Sequence, residues 1–231
     1  MMDFTSRTKM LVGEKAINNF RNKNIIVFGI GGVGSYTIEA LVRSGLNNIT
    51  IVDKDIIDIT NINRQIIANH KTIGEKKTEI MKKRIESINP KCNVKAIFKN
   101  LNKETINEFE FFQYDYIVDA IDTVSAKLLL IEIAKENDIP IISAMGAGNR
   151  LNPSLLKICD IFDTKNDPLS RIMRRELRKR NISSLKVVAS EELPNKFDKS
   201  DKSSPASNAF VPSSAGLLIA ADIFNYFIKK D

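Results

Sequence analysis

The sequence predicts an α/β fold with a doubly wound, mostly parallel sheet, to which the C-terminal half adds antiparallel strands. Three observations support this prediction. Short apolar runs such as residues 25–28 are typical of strands buried on both faces of a parallel sheet. These runs alternate with segments of helical periodicity, as in successive strand–helix–strand units. A glycine-rich turn follows the first run directly, at the edge where such sheets bind their ligands.

The stretch 24–55 contains the most informative motif of the chain. Its first apolar run continues into four closely spaced glycines, Gly29, Gly31, Gly32 and Gly34. A predicted helix at 35–44 and a second strand follow, and Asp53 ends that strand about 20 residues after the glycines. Glycines allow the backbone to approach a phosphate closely, and Asp53 could accept hydrogen bonds from a ribose. The motif therefore predicts a nucleotide site, in preference to a glycine-rich turn without a ligand.

The rest of the chain continues the alternation of strands and helices. Further strands are predicted at 94–98, 116–120 and 139–144, and further helices at 12–20, 74–88, 102–109 and 125–136. Segments 155–160 and 185–189 are expected to be antiparallel additions to the sheet. The polar stretch 191–209 has no apolar period, so we expect a mobile loop there.

The bulk composition is that of a chain with one large core. With 231 residues, of which 43% are apolar, we expect a single domain over 1–231. Within it, residues 1–150 would form the nucleotide-binding core and residues 151–231 a substrate-side extension. The apolar segment 213–228 is short for a membrane span, so packing in the core or in a dimer is expected. Without a recognisable signal peptide, the expected location is cytoplasmic, with no membrane partner. A net charge of +7 favours an anionic partner.

The cysteines and the histidine do not predict metal or thiol chemistry. Cys92 and Cys159 lie far apart and neither belongs to a CxxC pair, so no disulfide framework or cysteine zinc site is expected. Cys159 lies in an apolar run and is expected to be a buried thiol. His70 lies in a polar segment, where solvation is the expected state.

Charged residues beyond the glycines decide between nucleotide chemistries. A nicotinamide-dependent oxidoreductase, or a protein that only senses nucleotides, could use the same first half of the chain. Arg64, Lys77 and Asp122 suit a triphosphate better, because two cations could neutralise phosphates and a carboxylate could hold Mg²⁺. Each has an ordinary alternative: a surface ion pair, a solvated helix face and a helix cap. We expect Lys77 and Asp122 to lie exposed at the carboxyl edge of the sheet, beside Asp119.

Five segments in this order, GIGGVGS, IVDKD, TNINRQ, GEKK and DAIDT, resemble the ubiquitin-activating-type adenylating family, which has a Rossmann-like fold. The resemblance covers roughly residues 4–160 and implies adenylation of a carboxylate with ATP and Mg²⁺. It implies these nucleotide-binding residues: Gly29, Gly31, Gly32, Gly34, Asp53, Asp55, Asn61, Arg64, Gln65, Lys77 and Asp122. By the family pattern, Asp53 binds the ribose, Asn61 helps to hold phosphates, and Arg64, Lys77 and Asp122 are catalytic, with Mg²⁺ at Asp122. Arg7 matches an arginine that relatives donate to the partner subunit's site.

The second half of the chain resembles one branch of that family. The segments at 146–153, 160–177 and 204–220 are similar to the branch that dehydrates threonylcarbamoyladenosine in tRNA. The resemblance implies a homodimer that adenylates the threonine carboxylate beside the anticodon and closes it into a ring. It also implies that the 191–209 segment crosses the pocket. Activation of a ubiquitin-like sulfur-carrier protein is the alternative, although the CxxC pairs usual in those activators are missing. A sulfur-relay partner is possible in this branch, yet no cysteine follows Cys159.

A helix that begins at Asp167-Pro168 carries a cluster of arginines. Four of them fall at helical spacing on one predicted face, Arg171, Arg174, Arg175 and Arg178. The opposite face would pack on the sheet through Leu169, Ile172, Met173 and Leu177. Arginines without acidic partners repel one another, and phosphate oxygens would relieve that repulsion. The pattern therefore predicts a surface for the tRNA backbone, in preference to an ordinary solvated amphipathic helix.

Overall fold

The computed structural model describes residues 3–195 and 205–229. Seven strands form its sheet: β1 Asn24–Phe28, β2 Asn48–Asp53, β3 Asn93–Phe98, β4 Tyr116–Asp119, β5 Ile141–Ala144, β6 Leu156–Asp160 and β7 Lys186–Ser190. Their spatial order is β3-β2-β1-β4-β5-β7-β6. Phe28 lies opposite Val52 on one side and Asp119 on the other, so β1, β2 and β4 end at the same edge. This carboxyl edge brings the segments after all three strands together.

Seven α-helices connect and flank these strands within the described residues: α1 Ser6–Val12, α2 Glu14–Arg21, α3 Gly34–Arg43, α4 Lys77–Ile88, α5 Val124–Glu136, α6 Pro168–Arg178 and α7 Val211–Ile228. The helix expected at 12–20 corresponds to α2, whereas α1 was not predicted, and Gly13 with a φ of 87° separates the two. The helix expected at 102–109 is wrong, since only a short 3₁₀ turn, Ile106–Glu108, forms there. The other helices lie where the sequence predicts them.

The direction of the last two strands corrects one expectation. β6 pairs antiparallel with β7, as predicted, but β7 pairs parallel with β5 and so continues the parallel sheet. The path of the chain explains the difference. Asp167 lies beside Gly146 at the carboxyl edge, so the loop before α6 has already returned the chain to that edge. α6 then carries the chain back to the amino edge, from which β7 can only run parallel to β5.

Two apolar layers cover the sheet. α3, α4 and α7 contribute to one layer, with Leu41, Met81 and Ile219 fully buried in it. α5 and α6 contribute to the other, through residues such as Leu130 and Met173. The terminal helix α7 has the length and mean hydropathy of a membrane span (18 residues, 1.4). Its inner face lies in the first apolar layer, in agreement with the core packing expected from the sequence.

The contact between α3 and α7 depends on a glycine. A β-carbon at Gly216 would overlap the carbonyl oxygen of Val33 and lie 3.0 Å from the amide nitrogen of Thr37. Thr37 also donates its hydroxyl hydrogen to the carbonyl of Gly216 at 3.1 Å. The two helices therefore touch through their backbones, and a larger residue would force them apart.

We predict that Gly216→Ala destabilises the protein by about 1–3 kcal/mol, the usual cost of overpacking a close contact. Alanine is the better helix former by about 0.8–1 kcal/mol, so steric overlap has to outweigh that gain. Urea unfolding followed by circular dichroism measures the effect. Gly31→Ala is the matched control, because no described atom lies within 4 Å of a β-carbon there. Equal stability of the two variants would contradict the packing argument.

Candidate active site

The four glycines of the turn between β1 and α3 differ in how much space surrounds them. A β-carbon at Gly29 would lie 2.5 Å from the Ala120 carbonyl oxygen, and one at Gly34 would overlap the carbonyl oxygen of Gly29. At Gly32 it would meet Pro212 of α7 at 2.9 Å. Gly31 differs, because its β-carbon would point into open space among the described residues. Packing therefore accounts for three of the glycines, and Gly31 leaves the surface free for a ligand.

Asp53, at the end of β2, forms a hydrogen bond with the backbone of this turn. Its Oδ2 accepts a hydrogen bond from the Ile30 amide at 2.6 Å, and its Oδ1 accepts one from the Asp55 amide at 2.8 Å. Burial raises the pKa of the Asp53 carboxyl, and the positive charge of Lys77 opposes that rise. Each carboxylate oxygen still has a lone pair that a ribose hydroxyl could use. The predicted ribose ligand is thus also the residue that fixes the turn.

Lys77 corrects one expectation. The sequence predicts it to be exposed on the first turn of its helix, but only 6% of the residue is accessible. Its ammonium donates a hydrogen bond to Oδ2 of Asp55 at 3.1 Å, and the Asp55 side chain is about half exposed, at 52%. The lysine is buried because α4 begins at Lys77 itself, beside the Asp55 carbonyl that accepts its amide hydrogen. A bound phosphate would compete with Asp55 for this ammonium.

The segment 58–65 positions Arg64 beside the glycine turn. Asp58 and Asn61 form a reciprocal capping box around a short 3₁₀ helix, Ile59–Asn61. The Arg64 guanidinium donates Nη1 hydrogens to the Thr60 carbonyl at 2.7 Å and to Oδ1 of Asn63 at 2.9 Å. Arg64 forms no ion pair among the described residues, so the surface ion pair that the sequence allowed is not observed there. Its Cγ would lie 3.4 Å from a β-carbon on Gly32.

Gln65 follows Arg64 and is 5% exposed. Its Oε1 is buried and has no hydrogen-bond partner in the part of the chain that the structure describes. A side chain this deeply buried does not present itself to a ligand in the open pocket. Its predicted role in nucleotide binding would therefore be indirect, through the position of Arg64.

A buried ion pair that the sequence did not predict supports the loop after β4. Asp119 and Lys127 are both fully buried, with Lys127 Nζ 3.0 Å from Asp119 Oδ2. The same ammonium donates to Ser143 Oγ at 3.2 Å and to the Ala144 carbonyl at 2.7 Å. The sequence places Asp119 at the open edge of the sheet beside Asp122, but it faces inward. The only signal for Lys127 was a lysine in the middle of an apolar helix pattern.

Asp122 is the exposed carboxylate of that loop. The Asp119 carboxylate accepts the Ile121 amide at 3.1 Å and so fixes the backbone just before Asp122. Asp122 itself accepts only the Thr123 hydroxyl hydrogen at 3.2 Å among the described residues, and it is exposed as expected. The described residues contain no cluster of three or more metal-binding side chains. One carboxylate combined with substrate phosphates is a common way to hold Mg²⁺, so Asp122 fits that ion.

The described ends of the predicted loop at 191–209 lie against the segments that contain Asn149 and Asn63. Asn149, in the left-handed conformation with φ 58°, donates its amide to the Ala206 carbonyl at 2.7 Å and receives the Ala206 amide at 2.9 Å. The Asn149 carbonyl also accepts the Asn195 amide at 2.7 Å. Asn63 donates its side-chain amide to the Ser207 carbonyl at 3.0 Å. The described ends are therefore fixed beside the Arg64 segment, and residues 196–204 lie outside the described part of the chain.

Arg150 joins three segments on this side of the pocket, and the sequence did not identify it as a site residue. It is 2% exposed, and its guanidinium donates to the Gly146 carbonyl at 3.0 Å and to the Asn166 carbonyl at 3.2 Å. Asn208 donates its side-chain amide to the Arg150 carbonyl at 2.6 Å. Burial lowers the pKa of the Arg150 guanidinium, and Asp167, 3.6 Å away, opposes that effect. Arg150 thus holds the substrate-side loops together from inside.

Arg7 lies far from these residues of its own chain. It is exposed on α1, two residues after Thr5, which contacts Gly45 at the far end of α3. α3 begins at the glycine turn, so Gly45 marks the opposite edge of the sheet. From this position Arg7 does not reach the candidate site of its own chain.

The arginines of α6 are not equivalent, which corrects the predicted single stripe. The Arg174 guanidinium donates to the Thr164 carbonyl at 3.0 Å and to the Thr164 hydroxyl, so it fixes the loop before α6. The Arg178 guanidinium carbon lies 5.2 Å from the ring centroid of Phe162. Arg171 and Arg175 are exposed.

The packing and charge of α6 also differ from the prediction. Ile172 is 40% exposed, whereas the buried residues of the helix are Ser170, Met173 and Leu177. An acidic partner is present, because Glu176 contacts Arg175, Lys179 and Arg180. These cations hold the pKa of the Glu176 carboxyl below its usual value, with the Lys179 hydrogen bond as the largest cause.

Neither thiol has the properties of a nucleophile. Burial raises the pKa of Cys92 to about 12, and burial also raises the pKa of the partly buried Cys159. A raised pKa leaves the thiol protonated at neutral pH, whereas a reactive cysteine is a thiolate. His70 is exposed, as expected.

The fold and the site define a class: a doubly wound α/β protein with a glycine-rich turn, two cations and a carboxylate at the carboxyl edge of its sheet. The chain belongs to the ThiF family, whose model matches residues 5–181. It is 39% identical to the tRNA threonylcarbamoyladenosine dehydratase of Bacillus subtilis over 99% of this chain and 96% of that protein. The identity with the Escherichia coli protein of the same name is 39%, over 74% of this chain and 64% of that one.

Solved structures extend the comparison. The Escherichia coli tRNA N6-threonylcarbamoyladenosine dehydratase TcdA in complex with ATP superposes with a TM-score of 0.90 at 31% identity, over 98% of this chain and 94% of that chain. Escherichia coli MccB with ATP has a TM-score of 0.70 at 20% identity, which shows a shared fold alone. The predicted α/β fold and the predicted family are therefore confirmed.

We predict that Gly31→Ala leaves the unfolding free energy unchanged but weakens ATP binding about ten-fold or more. The added methyl group would occupy the open space over the turn and displace phosphate from backbone N–H donors. A hydrogen bond to a charged group contributes about 1.5–3 kcal/mol. Isothermal titration calorimetry with ATP measures the affinity. Wild-type affinity in a stably folded Gly31→Ala protein would exclude the open face of the turn as the phosphate site.

Proposed function

We propose that this protein is an ATP-dependent tRNA threonylcarbamoyladenosine dehydratase. The observation that carries the proposal is the near full-length similarity to the Bacillus subtilis dehydratase, which includes the substrate-side half of the chain. The TM-score of 0.90 with TcdA, a protein solved with ATP and with AMP, supports the same conclusion. The cofactors of the proposed reaction are ATP and Mg²⁺.

Each polar group of the pocket has a role in the proposed reaction. The open face of Gly31 and the N-terminus of α3 would receive phosphates, and Asp53 would receive the ribose. Arg64 and Lys77 would neutralise charge that develops as pyrophosphate leaves, while Asp122 would hold Mg²⁺, which would supply further positive charge. Lys77 would exchange its bond with Asp55 for one with ATP. Asn61 and Gln65 would keep the segment that carries Arg64 in position.

The proposed chemistry has two steps. First, the threonine carboxylate attacks the α-phosphorus of ATP, which forms an acyl-adenylate and releases pyrophosphate. Second, the carbamoyl group on the same side chain attacks the acyl carbon and loses a proton to solvent, and AMP leaves with the former carboxylate oxygen. The second step is intramolecular, and well-oriented groups of this kind reach effective molarities of about 10⁵ M or more. It therefore needs no protein nucleophile.

The proposal includes a homodimer in the cytoplasm. Helix α1 has no buried residue, and two of its apolar side chains, Met10 and Leu11, are 80% and 83% exposed. A second copy of the chain would cover them and could bring its own Arg7 to the pocket. A sulfur-relay partner has no support from the two thiols, whose pKa values are raised.

One assay tests the proposed function. Purified protein is mixed with ATP, Mg²⁺ and tRNA that carries threonylcarbamoyladenosine. We expect AMP and a modified nucleoside that has lost one water. Asp122→Ala should fold normally and lower the rate by about 10²–10³, the usual effect of losing one preorganised charge. Glu104→Ala removes an exposed acid elsewhere and serves as the control. AMP formation with a sulfur-carrier protein instead of tRNA would favour the alternative adenylation.

We predict that the exposed cations of α6 bind the tRNA backbone. The variant in which Arg171, Arg175 and Lys179 are changed to Gln should bind tRNA more weakly. Its log–log salt slope should fall by about one unit for each phosphate group that the variant no longer neutralises. Arg174 and Arg178 are left unchanged because they hold Thr164 and Phe162.

The matched control changes Lys83, Lys103 and Lys135 to Gln, which removes the same charge from exposed positions elsewhere. ATP affinity should be unchanged in both triple variants. Equal salt slopes in the two would show that α6 is not the docking surface.

A further inference from the structure

A second cleft lies at the end of α6 that is remote from the glycine turn. Its volume is about 430 Å³, and its lining consists of Phe162, Arg178, Asn181, Ile182 and Ser183. α6 begins beside Gly146 at the carboxyl edge and has eleven residues, so its far end is roughly 16 Å away along the helix axis. None of the groups proposed to bind ATP lines this cleft.

The lining has the chemistry that proteins use for unstacked nucleobases. Phe162 is partly exposed, and the Arg178 guanidinium carbon lies 5.2 Å from its ring centroid. Aromatic rings and guanidinium planes are the surfaces on which single-stranded bases stack. Asn181 and Ser183 are exposed at the rim, where a carboxamide and a hydroxyl could meet the polar edge of a base. Ile182 adds an apolar wall.

The cleft is rigidly built. Asp160 accepts the Phe162 amide at 2.9 Å and the Ser184 hydroxyl at 2.7 Å, which ties both sides of the cleft to one carboxylate. Arg174 fixes the loop after Phe162 through Thr164. Asn181 adopts a left-handed φ of 55° and donates its amide to the Arg178 carbonyl at 3.2 Å. A preorganised surface loses little conformational entropy when a ligand binds.

The charges around the cleft favour a base over a phosphate as the ligand of the ring. Asp163, an exposed acid, follows Phe162 directly and offsets the positive charge that Arg178 places at the ring. The exposed cations Arg171, Arg175 and Lys179 lie along α6 instead. A single-stranded RNA could therefore lay its phosphates on α6 and insert one base into the cleft.

We propose that the Phe162–Arg178 cleft binds an unpaired base of the tRNA substrate by stacking. This inference rests on the proposed function and deepens it. It adds a second contact with the RNA, about one helix length from the nucleotide that would react. The cleft would orient the anticodon loop, and Phe162 and Arg178 would determine affinity for RNA without touching ATP.

The test uses the full-length protein and a fluorescent anticodon stem–loop that carries threonylcarbamoyladenosine. Phe162→Leu keeps apolar volume but removes the ring, and we expect its Kd for the RNA to rise roughly five- to a hundred-fold. Phe162→Tyr retains the ring and should bind like the wild type. Phe112→Leu makes the same change at a phenylalanine that is 81% exposed elsewhere, and it should leave the Kd unchanged.

A double-mutant cycle identifies the base. Single abasic sites are placed at each unpaired position of the loop, and affinity is measured by anisotropy for wild type and Phe162→Leu. One abasic site should weaken binding to the wild type and have little further effect on the variant. An unchanged Kd for Phe162→Leu, or losses that simply add at every position, would overturn the proposal. Because the readout is binding, failure of the proposed function appears separately, as a wild-type protein that binds the RNA without dehydrating it.

Discussion

The turn from β1 into α3 is the constraint on which the rest of the structure depends. Gly29 lies against Ala120 at the end of β4, and Gly34 lies against Gly29 itself, so neither position has room for a β-carbon. The carboxylate of Asp53 then fixes the turn from the end of β2 through the Ile30 amide. The ends of three strands are thereby held together. The same close packing leaves Gly31 as the outermost glycine of the turn, so its backbone is accessible to a phosphate.

The sequence predicted the elements better than their directions. Apolar runs such as 25–28 identify buried strands because a doubly covered sheet excludes polar side chains on both faces. Strand direction carries no such signal. β7 runs parallel to β5 because the loop before α6 first returns to the carboxyl edge, and that path depends on contacts such as Asp167 with Gly146. Similarly, the positive φ at Gly13 sets the start of α2 after α1, and no apolar pattern encodes that angle.

The same limit applies to the site. Motif spacing identified the residues that border the pocket, but their burial depends on neighbours that are distant in sequence. Lys77, predicted to be exposed, is buried against Asp55, 22 residues earlier. Asp119, predicted to lie at the sheet edge beside Asp122, is held inside by Lys127 and Ser143. A buried ion pair of this kind is costly to desolvate, and breaking it by removing one partner typically costs about 3–5 kcal/mol. The position of this ion pair beneath the Asp122 loop indicates its role. It fixes the backbone that carries the charged side chain of Asp122.

The protonation state of the thiols bears on how the second proposed step proceeds. A cysteine relay would need a thiolate beside the acyl-adenylate, but burial raises the pKa of both Cys92 and Cys159 and keeps them protonated. In the proposed reaction the attacking group comes from the substrate, so the surface that orients the RNA matters more than a protein nucleophile. The α6 cations and the Phe162–Arg178 cleft would supply that orientation for the RNA, while Arg150 and Asn149 hold the loops on the substrate side. In the proposed arrangement, the protein would activate the carboxylate at the carboxyl edge of the sheet and use the length of α6 to hold the RNA around the reacting nucleotide.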